Sequence, residues 1–235
     1  MEKEILYNKI FSEKKYEVIV LDMDGTLYYQ RGMQILMFLE MGAFAITHPF
    51  SIWKLRVISA FRKVRELEMF SEDFYDIEKS DFDDLENSLL NLQYKITAER
   101  MNVKAQEVKV IVEEWMFKRP LKYLNYVCDD KLCRWVDAWK KAGKSIVVYS
   151  DYPVTEKCDI LGVKADAMYC SGEGTIGRMK PSACGLKVIS RELSVMPDKI
   201  LVVGDRMSKD GKMAEAFGCD YVILKKWKFL RNKKY

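Results

Sequence analysis

The hydrophobic pattern divides the chain into two textures. Val18, Ile19, Val20 and Leu21 form an unbroken apolar run ended by Gly25, the pattern of a strand buried on both faces of a parallel sheet. From about Gln30 to Leu124 strand signals vanish. Helical spacing takes over in Met33 to Ile46, Ile52 to Met69, Asp81 to Tyr94 and Val103 to Phe117, with Ser51 and Asn102 read as N-caps and Pro120 closing the last helix. From Lys131 onwards strands and helices alternate. Helices are expected over Lys131 to Ala142, Val154 to Leu161, Ser182 to Leu193 and around Met213 to Phe217. Strands are expected at Ser145 to Tyr149, Ala165 to Tyr169, Ile200 to Val203 and Tyr221 to Leu224, with Gly143 and Gly162 as helix stops. Repeated units of this length imply an α/β fold: a Rossmann-like, doubly wound parallel sheet built from residues 1–29 and 125–235, with residues 30–124 as a helical insertion.

Composition narrows the classes without naming one. With 235 residues, 49% hydrophobic and 31% charged, the chain can bury a full core. A net charge of +4 suits anionic small molecules and is too slight to imply nucleic acid. Six cysteines without a Cys-x-x-Cys pair, and no secretory signal, read as reduced thiols of a cytoplasmic protein. His48 is the only histidine, which excludes a histidine-cluster zinc site; before Pro49 it reads as a turn residue. The apolar stretch Met33 to Ile46 is too short for a transmembrane segment and reads as a helix packed inside the protein. Lys225, Lys226, Lys228, Arg231, Lys233 and Lys234 read as a solvated tail, and the acidic stretch Glu72 to Glu86 as a solvated face or connection.

Candidate chemistry gathers at the carboxyl ends of the strands, where open α/β sheets bind ligands. Asp22 and Asp24 leave the first strand in Asp22-Met23-Asp24-Gly25-Thr26. Ser150-Asp151 follows the strand ending at Tyr149. Lys180-Pro181 precedes a helix, and Gly204-Asp205 leads to Asp210. One edge would thus collect a hydroxyl, an ammonium and several carboxylates.

In these motifs and their order the chain resembles the haloacid dehalogenase-like superfamily, in particular its phosphatase branch with a helical cap inserted after the first motif. The likeness covers residues 17–29 and about 129–224; the insertion matches in position and helical texture. The resemblance implies a magnesium-dependent phosphatase of a small phosphorylated metabolite. Asp22 would be the nucleophile forming an aspartyl phosphate, and Asp24 the acid/base, which needs a raised pKa. Ser150, Asp151 and Lys180 would form the phosphate-binding site, Asp151 also helping to orient the loop. Asp22, Asp205 and the Asp24 backbone carbonyl suit Mg2+, with Asp210 behind them orienting the metal site or Lys180. Thr26 would brace the loop. A sugar-phosphate phosphomutase and a catalytically silent binding protein are the alternatives; a dehalogenase would not need Asp24. Arg206 and Lys209 add charge that either favours a doubly anionic substrate or pairs with surface acids. The basic helix of Trp53 to Arg65 reads first as one face packed in the insertion, and second as a substrate or peripheral membrane contact.

Overall fold

A computed structural model describes residues 15–67, 88–172, 176–226 and 229–231. In chain order its elements are β1 (Val18–Leu21), α1 (Gln30–Thr47), α2 (Trp53–Arg65), α3 (Leu89–Met101), α4 (Ala105–Val112), α5 (Leu124–Val127), α6 (Asp130–Lys141), β2 (Ser145–Ser150), α7 (Thr155–Leu161), β3 (Ala167–Cys170), α8 (Cys184–Glu192), β4 (Ile200–Gly204), α9 (Lys212–Phe217) and β5 (Asp220–Ile223). The five strands form one parallel sheet in the order β3-β2-β1-β4-β5.

The unbroken apolar runs follow from burial on both faces. Ile19, Leu21, Ile146, Val148, Leu201 and Val203 pack on one side with Leu132, Val136 and Trp139 of α6. Val18, Val20, Val147, Ile200 and Val202 pack on the other with Leu186 and Ile189 of α8 and Met213 of α9. Helices on both faces give the doubly wound α/β architecture. Register sets Leu21 opposite Val148 and Val203, so β1, β2 and β4 end together, and the residues after them share one edge.

Between β1 and α6 every described element is helical. The two chain crossings into and out of this region lie side by side: Tyr29 N–H donates to the Val127 carbonyl (2.8 Å) and Asp129 N–H to the Leu27 carbonyl (3.1 Å). Lys226 clasps both, donating to the Thr26 carbonyl and lying 2.7 Å from Asp129.

Several sequence expectations are corrected. Asn102 is not an N-cap: it ends α3 in the left-handed conformation (φ 51°, ψ 50°), a role its short polar side chain tolerates. Ser51 belongs to a short 3-10 turn, and Ile52 flanks α2. Pro120 closes nothing; it sits in the first turn of a 3-10 segment that leads into α5, where its missing N–H costs nothing. The helix containing Tyr94 begins at Leu89 and runs past it to Met101. Residues 81–87, at the start of that expected helix, the acidic stretch at 72–86 and Lys228, Lys233 and Lys234 lie outside the described residues. The basic tail is only partly solvated: Lys225 is exposed, but the Lys226 side chain is buried against Asp129, and Arg231, itself exposed, pairs with Asp130 at 2.6 Å. Nor is α1 packed inside, since only Gly32, Met33 and Met37 are buried along it.

Candidate active site

Asp22 is held as β1 ends, its N–H bonded to the Val203 carbonyl (2.9 Å). Its two carboxylate oxygens have separate donors: Thr26 Oγ1 to Oδ2 (2.9 Å) and Lys180 Nζ to Oδ1 (2.8 Å). The same ammonium reaches Asp210 Oδ1 at 2.7 Å and lies over the Tyr149 ring. Asp210 Oδ2 accepts from the Arg206 N–H (3.2 Å), so Asp210 fastens Lys180 to the loop after β4. Asp22, Asp205 and Asp210 each bring a carboxylate oxygen within 4.8 Å of the other two. Gly25, at φ 97°, makes this possible, because a Cβ there would overlap the Asp205 carboxylate.

Charge balance distinguishes this cluster from its neighbours. Asp24 pairs with Lys157 (2.6 Å) and accepts from Tyr28 Oη (2.6 Å) on the same oxygen. Asp151 pairs with Arg65 and accepts from the Lys180 N–H (2.9 Å) and Ser171 Oγ (3.2 Å). Asp22 and Asp210 share one ammonium, and Asp205 has only the half-exposed Arg206 guanidinium, 3.6 Å away. Burial, with the charges of Asp210 and Asp205 against that of Lys180, raises Asp22 to about 7. Burial likewise raises Asp205 to about 6, with Asp210 and Asp24 adding to it and Arg206 and Lys180 opposing it. Lys180 stays charged: burial opposes its charge, but Asp22, Asp210 and Asp151 outweigh it. Asp205 Oδ1 is buried without a hydrogen-bond donor. Hard carboxylate oxygens, surplus negative charge and an unsatisfied buried oxygen fit a divalent cation.

Asp24 behaves differently from the sequence expectation. Burial pushes its carboxyl up, but Lys157 and the hydrogen bonds from Lys157 and Tyr28 outweigh burial and hold it below the usual carboxylate range. Of the two acids in the first motif, the raised carboxyl is Asp22.

Ser150 is buried at the end of β2 and lines the cleft with Asp22, Asp24, Asp151, Lys180 and Asp205. Its Oγ accepts from the Tyr152 N–H (3.4 Å). The cleft, about 620 Å3, is walled on the helical side by Met33, Met37, Trp115, Met116 and Phe117, with Arg31 and Arg62 among its cations. Lys209 turns to Glu66 (3.1 Å), and Arg206 Nε lies 3.6 Å from Asp205.

Sequence reasoning missed Lys157 and Arg65. Lys157 has a local signal, since α7 begins five residues after Ser150 and its first turns face the strand ends. Arg65 has none; it meets Asp151 across 86 residues of chain.

A parallel sheet that sets a carboxylate-lysine cluster at its carboxyl edge is the architecture of a hydrolase class as well as a fold. The chain belongs to the haloacid dehalogenase-like hydrolases, whose family model matches residues 16–218. No curated protein is a match to the chain. Among solved structures it is similar to YfnB from Bacillus subtilis, described as a HAD-hydrolase and bound to magnesium (TM-score 0.60, 11% identity, 93% of each chain covered). It is also similar to 2-haloacid dehalogenase from Pseudomonas syringae pv. tomato DC3000 (TM-score 0.57, 14% identity, 88% of this chain and 86% of that one). A third is CbbY from Rhodobacter sphaeroides in complex with phosphate (TM-score 0.54, 14% identity, 93% and 90%). At these identities the likeness is one of fold.

Proposed function

We propose that the protein is a magnesium-dependent phosphatase that hydrolyses a small phosphorylated metabolite through an aspartyl phosphate on Asp22. One observation carries this reading. A buried carboxylate is oriented by Thr26 and Lys180 beside an acidic cluster carrying surplus negative charge. Phosphoryl transfer needs positioning and charge neutralisation more than covalent machinery, and this cluster supplies both. The second carboxylate, Asp24, supports phosphatase over dehalogenase chemistry.

In this reading Asp22, Asp205 and the Asp24 carbonyl would hold Mg2+, which when bound would neutralise phosphate charge and lower the Asp22 pKa. Asp22 Oδ attacks phosphorus and the ester oxygen leaves. Ser150 and Lys180 hold the equatorial oxygens. Asp151 contributes by fixing the Lys180 backbone and Arg65 rather than by touching phosphate, because its carboxylate is already engaged. The leaving oxygen takes a proton from Asp24, which must first acquire one by loosening its pair with Lys157. The ionised form that the pair favours then serves as base for the water that hydrolyses the intermediate. Residues 30–124 act as a cap over the core of residues 1–29 and 125–235, and their apolar wall excludes water.

The test is phosphate release from a panel of phosphorylated metabolites, with magnesium or EDTA, by wild type and Asp22→Asn. Release requiring both magnesium and Asp22 is expected, with at least a 10³-fold loss in the variant, on the order seen when a central catalytic group is removed. Undiminished release by Asp22→Asn refutes the nucleophile assignment.

A further inference from the structure

The face of α1 that leaves the core is apolar. Ile35, Phe38, Leu39, Gly42 and Ile46 recur at helical spacing along one exposed side. The chain then turns by 119° at His48, and Phe50, Ile52 and Trp53 continue the apolar surface around the bend. Phe38 is 71% exposed, Ile46 83% and Phe50 96%, while Ile52 and Trp53 are about two-fifths exposed. Such a cluster on one face is not the scatter of single apolar residues found on any soluble surface.

Charge indicates what covers it. Between Glu40 and Glu66 there is no acidic residue, while Lys54, Arg56, Arg62, Lys63 and Arg65 follow the tip. Arg65 is buried against Asp151, Lys54 is half-buried and Arg62 also lines the cleft; Arg56 and Lys63 are exposed. An apolar prow with Trp53 and a basic collar behind it matches the interior and anionic headgroups of a bilayer surface. A second copy of the chain fits less well, because a two-fold interface would set the collar against itself. No single described helix is long and apolar enough to cross a membrane, whereas α1 and the segment 49–65 reach that length and hydropathy only as a bent pair. A bent pair suits lying in the interface.

We propose that the exposed apolar face of α1 and the bend at residues 48–53 dock this protein on the anionic surface of a lipid bilayer, with Lys54 and Arg56 at the headgroups. Docking through this face is separate from the reaction in the cleft. It does have a geometric consequence, since Arg31, Met33, Gln34 and Met37 at the start of α1 line that cleft.

The experiment is co-sedimentation with vesicles of phosphatidylcholine alone or containing phosphatidylglycerol. It compares wild type, Ile46→Ser/Phe50→Ser and Lys54→Glu/Arg56→Glu, with circular dichroism and melting curves for each and sizing in the absence of lipid. Wild type sediments with the phosphatidylglycerol vesicles, and added salt weakens binding. The apolar double variant, which removes two exposed side chains and leaves the melt unchanged, binds at least about tenfold more weakly. The charge variant loses the preference for anionic lipid. Wild type remaining in the supernatant with both vesicle types overturns the proposal. So does sedimentation equal in wild type and the apolar variant, or a dimer dissolved by that variant in a protein that ignores vesicles.

Discussion

Removing Arg65 exposes the energetic cost of its tether. The guanidinium ends α2 and meets Asp151, which directly follows β2; both side chains are buried, and Arg65 also donates to the Lys180 carbonyl (3.1 Å). Burial opposes the guanidinium charge, but Asp151 outweighs it and keeps Arg65 protonated. Breaking a buried pair by deleting one partner costs about 3–5 kcal/mol, because the other charge is left without compensation. Asp151 would retain the Lys180 N–H and Ser171 Oγ, so Arg65→Met should fall near the lower end, about 3 kcal/mol. For a chain of this size that lowers Tm by about 6–12 °C. Circular dichroism melts of Arg65→Met, Asp151→Asn and the double variant form a cycle in which the double variant is less destabilised than the sum of the singles. Additive losses, or a shift under about 2 °C in Arg65→Met, would refute the coupling of the helical insertion to the strand edge.

Two further outcomes follow from the charges at the site. In metal-free protein the raised Asp22 and Asp205 keep protons in the folded state that the unfolded chain releases near the ordinary carboxylate range. Stability should therefore fall as pH rises from about 4 to about 7, and the gain in Tm on adding magnesium should be larger at about pH 7.5 than at about pH 5. Equal gains at the two pH values would sink the cation assignment. Lys157→Met leaves Asp24 with the Tyr28 hydrogen bond and the weaker influence of Arg206, so its carboxyl pKa should rise and the limb of the pH-rate profile that reports Asp24 should move to higher pH, while Lys157→Arg stays near wild type. An unmoved profile would remove Asp24 from the titrating step.

The short-range physics of the chain was sufficient for the sheet. A strand buried on both faces must be apolar throughout, and glycines must stop the helices between strands, so β1, β2 and β4 and the residues following them were legible from local pattern. Asp22, Ser150, Lys180 and Asp205 were legible for the same reason: each lies within one or two residues of a strand end or just before a helix. The helical insertion was harder to read. Asn102 and Pro120 each support more than one terminal geometry, and which one forms depends on the neighbouring turn.

What the sequence determined by itself is an α/β chain with four polar motifs brought to one edge by parallel strands, because strand direction and burial are properties of contiguous residues. Three things were decided only by tertiary packing. Lys157 claims Asp24 and Arg65 claims Asp151, while burial beside Asp210 and Asp205 raises Asp22. Lys226 leaves the tail to clasp the two chain crossings. One face of α1 is left uncovered by the described residues, although its composition had read as core. Burial and the pairing of charges arise between segments far apart in the chain, where no local pattern reports them.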